Sequence, residues 1–294
     1  MKLLITGASG LLGNKLVKTA INLGHQVHSA YNVHPVQVGI PVRLDITDES
    51  AVERFITSEA PSAVIHTASL TDVDLCEDQP ELAMRVNGAS VGHLARSCSK
   101  VGSFLVYVST DYVFNGRRGN YREDDETDPI NSYGRSKLLG ENQTKQYADD
   151  FLIARTSVVY GWGREHRPNF ATWLLGKLQA GDEAKVVADQ FSSPTFNTEL
   201  AKMIIEAAQR RITGIMHLAG ATRTSRFEFA VKLAGAFNLD PKLAQPVSSN
   251  SVGWKAMRPP DSSLDVTKAL ETLNNKPLPL EHALRKFRME AHLK

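Results

Sequence analysis

Tyr133 and Lys137 are the residues of this 294-residue chain whose types and spacing best suit proton transfer. They lie four positions apart in the run Asn131-Ser-Tyr-Gly-Arg-Ser-Lys137, so on a helix they would share one face. A lysine ammonium beside a phenol favours the phenolate, which predicts a Tyr133 pKa below the usual value near ~10. A phenol tuned in this way can exchange a proton with a carbonyl or an alcohol near neutral pH.

The Tyr/Lys pair is a weak signal by itself, because the same spacing also occurs on solvated helix faces. Its place in the chain strengthens it. It follows a glycine-rich segment at residues 7–13 (GASGLLG) and a Ser-Thr-Asp run at residues 109–111 that closes an apolar stretch. Glycines after a first strand allow a tight turn and let helix amide groups receive a pyrophosphate. Together these features predict hydride transfer to a carbonyl, with Tyr133 delivering the proton.

The glycine segment does not distinguish NADP from NAD, and that distinction depends on the residues that follow it. Its spacing is G-x-x-G-x-x-G rather than the usual G-x-G-x-x-G, so a glycine-rich turn without a ligand stays the alternative. The second predicted strand leads into Tyr31-Asn32, with no Asp or Glu to bond a ribose 2′-hydroxyl. This favours NADP, or use of both NADP and NAD, although no arginine is present there to hold a 2′-phosphate. Asp45-Ile46, after the third strand, either flanks the adenine or only leads into a helix.

Composition excludes several other classes of protein. The net charge is only +2 with acids and bases interspersed, so no broad nucleic-acid surface is expected. Cys76 and Cys98 make neither a disulfide framework nor a zinc spacing, so we expect ordinary thiols in a reducing cytoplasm and no bound metal. The N-terminal apolar run is too short for a signal peptide, and no stretch approaches the ~20 apolar residues of a membrane span.

The first two-thirds of the chain alternates strand and helix signals, the pattern of a parallel sheet with crossover helices. We predict an α/β fold, with a Rossmann-type doubly wound parallel sheet and a smaller C-terminal substrate-binding lobe. The NADP-binding domain is placed at residues 1–160, with segments near 185–222 returning to it, and the lobe mainly at residues 161–294. Strands are predicted at residues 2–6, 26–30, 42–44, 63–66, 104–109 and 151–155, and helices at residues 11–23, 49–58, 81–101, 132–147, 169–180, 197–210 and 226–237.

At these residues the chain closely resembles the extended short-chain dehydrogenase/reductase family, and within it the dTDP-4-dehydrorhamnose reductase group. The resemblance runs nearly end to end. Its glycine and Tyr/Lys motifs mark only the superfamily, whereas the Ser-Thr-Asp-Tyr-Val-Phe and Asp-Gln-Phe runs are specific to the group. The motifs that carry it are Gly7-x-x-Gly10-x-x-Gly13, Thr71-Asp-Val-Asp-Leu-Cys-Glu77, Val86-Asn87, Ser109-Thr-Asp-Tyr-Val-Phe-Asn-Gly116, Tyr133-x-x-x-Lys137, Arg155-Thr-Ser157, Asp189-Gln-Phe-Ser-Ser-Pro-Thr195 and Arg258-Pro-Pro-Asp-Ser-Ser-Leu-Asp265.

The resemblance implies roles for individual residues. Thr110 would hydrogen-bond the substrate carbonyl, in the role that serine has elsewhere in the superfamily. Tyr133 would be the general acid, and Lys137 would bind the nicotinamide ribose and tune Tyr133. Asp111 and Asn169 would contact the sugar or the nucleotide. The residues expected to bind NADPH are Gly7, Ser9, Gly10, Leu11, Leu12, Gly13, Tyr31, Asn32, Asp45, Ile46, Ala68, Ser69, Leu70, Thr71, Tyr133 and Lys137.

Arg258 would bind the diphosphate of a nucleotide-sugar substrate, since arginine suits bidentate phosphate binding, while a surface salt bridge is the alternative. Reductases of this group often carry tryptophan in Arg-Thr-Ser-Trp. This chain has Val158 there, so the resemblance does not fix the sugar nucleotide. Some members form a metal-bridged dimer through an acidic residue two positions after the third glycine. Lys15 occupies that position, so a homodimer is compatible with the resemblance but a magnesium bridge is not expected.

The reaction implied by the resemblance is NADPH-dependent reduction of the 4-keto group of a dTDP-6-deoxyhexulose, in dTDP-rhamnose biosynthesis or a close relative. Two alternatives stay open. One is a non-catalytic NADP-binding regulatory subunit like that of methionine adenosyltransferase, which resembles the same group. The other is a related nucleotide-sugar epimerase or dehydratase. Epimerases usually retain NAD, however, and the missing acid after the second strand argues against one.

Overall fold

A seven-stranded parallel sheet is the centre of this computed structural model, which describes residues 1–163 and 168–291. Its strand order is β11-β6-β5-β4-β1-β2-β3, so the chain runs outward from β1 to β3 and then crosses back to β4. At that reversal the carboxyl ends of β1 and β4 leave a crevice, where doubly wound sheets bind ligands. The predicted fold class is therefore confirmed. The strands are β1 (Lys2–Thr6), β2 (Gln26–Tyr31), β3 (Ile40–Arg43), β4 (Ala63–His66), β5 (Phe104–Thr110), β6 (Phe151–Thr156), β7 (Val159–Tyr160), β8 (Ala184–Val187), β9 (Phe191–Ser192), β10 (Thr195–Phe196), β11 (Gly214–His217), β12 (Thr224–Ser225) and β13 (Ala244–Val247).

The helices lie close to their predicted places. They are α1 (Leu11–Asn22), α2 (Glu49–Glu59), α3 (Val73–Asp78), α4 (Pro80–Ala83), α5 (Ser90–Val101), α6 (Ser132–Tyr147), α7 (Phe170–Gln179), α8 (Asn197–Gln209), α9 (Arg226–Ala236), α10 (Thr267–Thr272) and α11 (Leu280–Ala291). A π-helical turn at Met84–Ala89 joins α4 to α5, so the helix predicted at residues 81–101 is three consecutive segments. It ends at Gly102, which adopts the left-handed conformation with a φ of 68°. Within the described residues, no helix has both the length and the apolarity needed to cross a bilayer.

Both faces of the sheet are covered, because alternate residues of each strand point to opposite sides. In β1, Leu3 and Ile5 belong to the core shared with α1 and α8, while Leu4 belongs to the core shared with α2 and α5. The two cysteines are free and buried in the described structure. Burial raises the pKa of Cys76 to about 11, so it is an unreactive thiol at neutral pH.

The smaller lobe has its own apolar core. Helices α7, α9 and α11 pack around Tyr160, Phe229 and Phe287, beside the parallel pair β8 and β13. Helix α8 and strand β11 instead pack with the main sheet, although they lie late in the chain. The chain therefore crosses between the lobe and the sheet more than once. A division into domains at residue 160 stays a prediction.

Candidate active site at the carboxyl edge of the sheet

An open cleft of about 580 Å³ lies along the carboxyl edge of the sheet. Its walls come from the segments that follow β1, β2, β4 and β5, from the start of α6, and from the smaller lobe. The predicted site residues that line it are Gly7, Ser9, Gly10, Leu11, Leu12, Gly13, Tyr31, Asn32, Ile46, Ala68, Ser69, Thr71, Thr110, Asp111, Tyr133, Lys137 and Asn169. The predicted residues that do not line it are Asp45, Leu70 and Arg258. Residues predicted separately for catalysis, cofactor and substrate thus share one cleft.

The glycine turn between β1 and α1 allows neighbouring backbone segments to approach it closely. Gly7 has a φ of +67°, and a Cβ there would lie 2.7 Å from the backbone nitrogen of Ala68. A Cβ on Gly13 would lie 2.1 Å from the carbonyl oxygen of Gly7. Helix α1 can therefore pack against the turn only because residue 13 has no side chain. Gly10 caps α1 without a side-chain hydrogen bond, and the first turn holds no acid. The exposed helix amides and this shape fit a dinucleotide pyrophosphate.

Other helices near the cleft have side-chain caps. The carboxylate of Asp48 accepts a hydrogen bond from the backbone of Ala51 at 2.9 Å, and the amide of Asn131 accepts one from Gly134 at 2.8 Å. Those caps give hydrogen-bond partners to some of the backbone N–H groups in the first turns of α2 and α6. The contrast supports α1 as the helix whose first amide groups are left for an anion.

Asp45 anchors the residues after β2 from outside the cleft. Its carboxylate accepts hydrogen bonds from the backbone and hydroxyl of Thr47, at 2.9 and 2.7 Å. These bonds, with a further one from Asn32, hold the pKa of Asp45 below its usual value. The charged carboxylate therefore braces Asn32, which does line the cleft. Direct contact of Asp45 with an adenine stays a prediction.

Asn87 holds the segment after β4 in place, a role that the sequence analysis did not assign. Its amide oxygen accepts hydrogen bonds from the backbone of Leu70 at 2.8 Å and the hydroxyl of Ser69 at 2.9 Å. Its amide nitrogen donates to the carbonyl of Leu70 and to Ser136, both at 3.0 Å. The buried π-helical turn thereby ties the cleft wall to α6. The motif Val86-Asn87 was the only signal for it.

Thr110 and Tyr133 meet where β5 and α6 approach the cleft. The Thr110 hydroxyl donates to the carboxylate of Asp111 at 3.0 Å and accepts from the backbone of Tyr112 at 3.2 Å. Burial raises the pKa of the Tyr133 phenol, and a hydrogen bond with Thr110 opposes that rise. The predicted lowering of the Tyr133 pKa is therefore wrong for this structure, because burial of the phenol disfavours the phenolate. The phenol keeps its proton at neutral pH.

Lys137 lies one helical turn beyond Tyr133 and is 3% exposed. Its ammonium nitrogen donates to the carbonyl of Val108 at 2.8 Å and lies 4.2 Å from the ring centroid of Tyr107. Burial lowers the pKa of Lys137 to about 7, although the carboxylate of Glu141 acts in the opposite direction. Lys137 thus carries only part of a charge at neutral pH.

A buried ion pair fixes the register of these elements. The guanidinium of Arg155 donates to both carboxylate oxygens of Glu141, at 2.9 and 2.8 Å, and both side chains are at most 2% exposed. The hydroxyl of Ser109 donates to the same carboxylate at 2.7 Å. The network joins α6 to β5 and β6 directly behind Thr110 and Lys137. It therefore holds the proposed catalytic residues from the side away from the cleft.

Asp111 is buried, and its carboxylate hydrogen-bonds other residues of the protein. Its carboxylate accepts hydrogen bonds from Ser157 at 2.7 Å and from Ser262 at 2.5 Å. Burial raises its pKa, and these bonds oppose the rise. Through Ser262 the proline-rich segment that begins at Arg258 is tied to the end of β5. Asp111 thus shapes the cleft, and its contact with a sugar stays a prediction.

Arg258 lies beside the cleft rather than in its lining. Its guanidinium is 3.0 Å from the carboxylate of Asp74, it lies 5.3 Å from the ring centroid of Trp254, and its side chain is 10% exposed. Asp74 also accepts a hydrogen bond from the backbone of Ala256 at 3.0 Å. These contacts match the salt-bridge alternative. Contact with a diphosphate stays a prediction for Arg258.

Val158 and Arg226 also line the cleft, although neither was predicted as a site residue. Val158 has a φ of 38°, which is rare for a β-branched residue and indicates local backbone strain. Arg226 was missed because the sequence predicted only a helix at residues 226–237, and no motif marked its first residue as part of a site.

The parallel sheet, the uncapped glycine turn and the cluster of Thr110, Tyr133 and Lys137 define an extended short-chain dehydrogenase/reductase. A family model described as RmlD substrate binding domain matches residues 1–292. Within this class, the chain belongs to the dTDP-4-dehydrorhamnose reductase family of NAD(P)H-dependent oxidoreductases.

Three similar proteins illustrate the membership. The dTDP-4-dehydrorhamnose reductase of Mycolicibacterium smegmatis is 38% identical, with 88% of this chain and 76% of that protein covered. The crystal structure of dTDP-4-dehydrorhamnose reductase from Bacillus anthracis in complex with NADP has a TM-score of 0.88 and 32% identity, covering 98% of this chain and 99% of that one. Methionine adenosyltransferase 2 subunit beta of Xenopus laevis is 34% identical, covering 90% and 80%.

Proposed function

We propose that this protein uses NADPH to reduce the 4-keto group of a dTDP-6-deoxyhexulose, as a dTDP-4-dehydrorhamnose reductase. The observation that carries the proposal is the placement of Thr110, Tyr133 and Lys137 in the same cleft as the glycine turn. Relatives that carry this name, and a related structure that contains NADP, support it.

The chain's own residues supply orientation and a proton. A reduced nicotinamide, when bound, supplies the hydride. The Thr110 hydroxyl orients the substrate by a hydrogen bond to its carbonyl oxygen, and the Tyr133 phenol donates its proton to that oxygen. Because burial keeps the phenol protonated, Tyr133 starts in the form that a general acid needs. Lys137 holds the nicotinamide ribose.

A direct test is to follow NADPH oxidation with a panel of 4-keto nucleotide sugars. We expect turnover with at least one dTDP-linked 6-deoxy-4-ketohexose. A protein that binds NADPH but turns over no panel member would contradict the proposal. It would favour a non-catalytic subunit, the alternative that the similarity to methionine adenosyltransferase 2 subunit beta supports.

A homodimer and a cytoplasmic location remain predictions. Sedimentation velocity tests whether the protein is a homodimer.

Cofactor preference gives the first specific prediction. Neither Tyr31, the last residue of β2, nor Asn32 after it carries a carboxylate, so NADPH should bind at least as well as NADH. Fluorescence titration of both measures this, and a preference for NADH of more than about tenfold, or ~1.4 kcal/mol, would contradict it. As a matched variant, Asn32→Asp should weaken NADPH binding more than NADH binding, because the new carboxylate repels a 2′-phosphate.

Arg258→Ala is the second prediction. If Arg258 holds the substrate diphosphate, KM should rise and kcat/KM should fall by about 1.5–3 kcal/mol, the typical worth of a charge-assisted hydrogen bond. NADPH affinity should hardly change, since the glycine turn serves the cofactor phosphates. The control is Asp74→Asn, which removes the ion pair and keeps the guanidinium.

The two variants separate the roles of Arg258. If Arg258→Ala and Asp74→Asn both lower only the melting temperature, Arg258 is a structural residue. If Arg258→Ala weakens NADPH and leaves substrate kinetics unchanged, it belongs to the cofactor site. Either result would reject the diphosphate assignment.

A further inference from the structure

Arg226 places a positive charge on the smaller-lobe side of the cleft. Its guanidinium carbon lies 5.3 Å from the ring centroid of Phe170, and its Nε donates to the amide oxygen of Gln190 at 3.3 Å. Its backbone nitrogen donates to the carbonyl of Gln190 at 3.2 Å. A stacked ring and an amide orient the guanidinium, but neither neutralises it.

Arg226 differs in this respect from the arginines nearest to it. Arg223 lies 2.7 Å from the carboxylate of Asp261, and Arg258 lies 3.0 Å from that of Asp74. Over residues 1–163 and 168–291, no carboxylate lies within ion-pair distance of Arg226. A half-buried charge held by neutral partners and facing a cleft is suited to an anionic group of a ligand.

The position of Tyr112 relates Arg226 to the substrate end of the cleft. Tyr112 follows Thr110 and Asp111 directly, so it marks the substrate end of the cleft. Burial raises the pKa of the Tyr112 phenol, and the charges of Arg226 and Arg258 both oppose that rise. Arg226 also hydrogen-bonds the Tyr112 phenol, so its charge lies at this end of the cleft. The cofactor pyrophosphate has its own donors at the glycine turn, so this second positive region is left for the substrate.

We propose that Arg226 binds the diphosphate of the nucleotide-sugar substrate, next to the Tyr112 phenol. The inference rests on the proposed function, and it adds an anchor in the smaller lobe that the sequence motifs do not mark. Because α9 and the Gln190 segment both belong to the substrate side of the cleft, a diphosphate held by Arg226 joins the lobe to the end of β5. The sugar is then directed toward Thr110 and Tyr133.

The test is binding, so that it does not depend on turnover. Isothermal titration with dTDP and with thymidine would be compared for wild type, Arg226→Gln, Arg226→Lys and Lys232→Gln. Lys232 lies on the same helix but pairs with Glu281 on the surface, so its variant removes an equal charge away from the cleft. Arg226→Gln should weaken dTDP roughly 10- to 100-fold and leave thymidine unchanged. Arg226→Lys should fall between, because an ammonium cannot bind bidentately.

Two further readouts identify the group that Arg226 binds. The salt dependence of dTDP binding should be less steep in Arg226→Gln than in Lys232→Gln, because one ionic contact is gone. NADPH affinity should stay within about twofold of wild type, since a twofold change is only ~0.4 kcal/mol.

Several results would overturn the assignment. An unchanged dTDP affinity in Arg226→Gln would do so, as would an equal loss for dTDP and thymidine, which would place Arg226 at the nucleoside. A loss confined to NADPH would move it to the cofactor. Failure of wild type to bind dTDP at all would reject the proposed function as well, whereas the other results reject only the role of Arg226.

Discussion

Replacing Tyr133 with phenylalanine should lower kcat about 10²- to 10⁴-fold, the usual worth of a general acid, while NADPH affinity stays close to that of wild type. Tyr133 is the proposed proton donor, and its ring packs edge-on against Tyr112 with centroids 5.9 Å apart. Phenylalanine keeps that packing and removes only the hydroxyl. Steady-state NADPH oxidation and a fluorescence titration of NADPH measure the two quantities.

Thr110 provides the control for the Tyr133 variant. Thr110→Ser keeps the hydroxyl that orients the carbonyl, so it should retain most of the activity. Thr110→Val removes that hydroxyl, so it should lose most of the activity. If Tyr133→Phe turns over at nearly the wild-type rate, Tyr133 has no part in the mechanism. If it also loses NADPH, the damage is to cofactor binding and the proton-donor role is not supported.

The sheet and its glycine turn could be predicted because the signals for them are local. Buried strands such as β5 are short apolar runs, and Gly7 and Gly102 mark the ends of elements through backbone conformations that other residues adopt poorly. The helix predicted at residues 132–147 coincides with α6, and the structure shows that the side chain of Asn131 caps its start. The cleft lining at the glycine turn follows from the same local rules, since a parallel sheet places its strand ends at one edge.

The electrostatics of the site could not be predicted in the same way. The pKa of Tyr133 depends on how deeply its phenol is buried, and that depth is set by segments distant in sequence. The same is true of Lys137, whose pKa of about 7 comes from enclosure between β5 and α6. The spacing of Tyr133 and Lys137 gave the wrong direction for the shift of the Tyr133 pKa, and the catalytic role of the pair stays a prediction.

Residues brought in by long-range packing were also missed. Arg226 reaches the cleft because α9 packs in the smaller lobe, and Asn87 acts from within a π-helical turn that no sequence pattern indicated. Arg258 lies in a recognisable motif that predicts a ligand contact, and the structure gives its guanidinium a carboxylate partner that the motif did not indicate. Motifs locate a segment, but tertiary packing decides which of its side chains face the ligand.

Breaking the buried pair of Arg155 and Glu141 should have the largest effect on stability. Arg155→Met leaves the Glu141 carboxylate buried without its partner, which typically costs about 3–5 kcal/mol of unfolding free energy. Denaturant unfolding measures this. The exposed pair of Lys100 and Glu53 provides the control, because Lys100→Gln should change stability little. A variant Arg155→Met as stable as wild type would show that water or a rearrangement replaces the pair.

The double variant Arg155→Met with Glu141→Leu separates stability from function. Two well-packed apolar residues should recover most of the lost unfolding free energy, since no charge is left buried alone. Glu141 holds the pKa of Lys137 up, so its removal should lower that pKa further below its present value of about 7. The limb of the pH–rate profile that reports Lys137 should therefore move to lower pH in the refolded double variant. An unmoved limb, with stability restored, would show that the ion pair only supports the fold and does not tune the lysine.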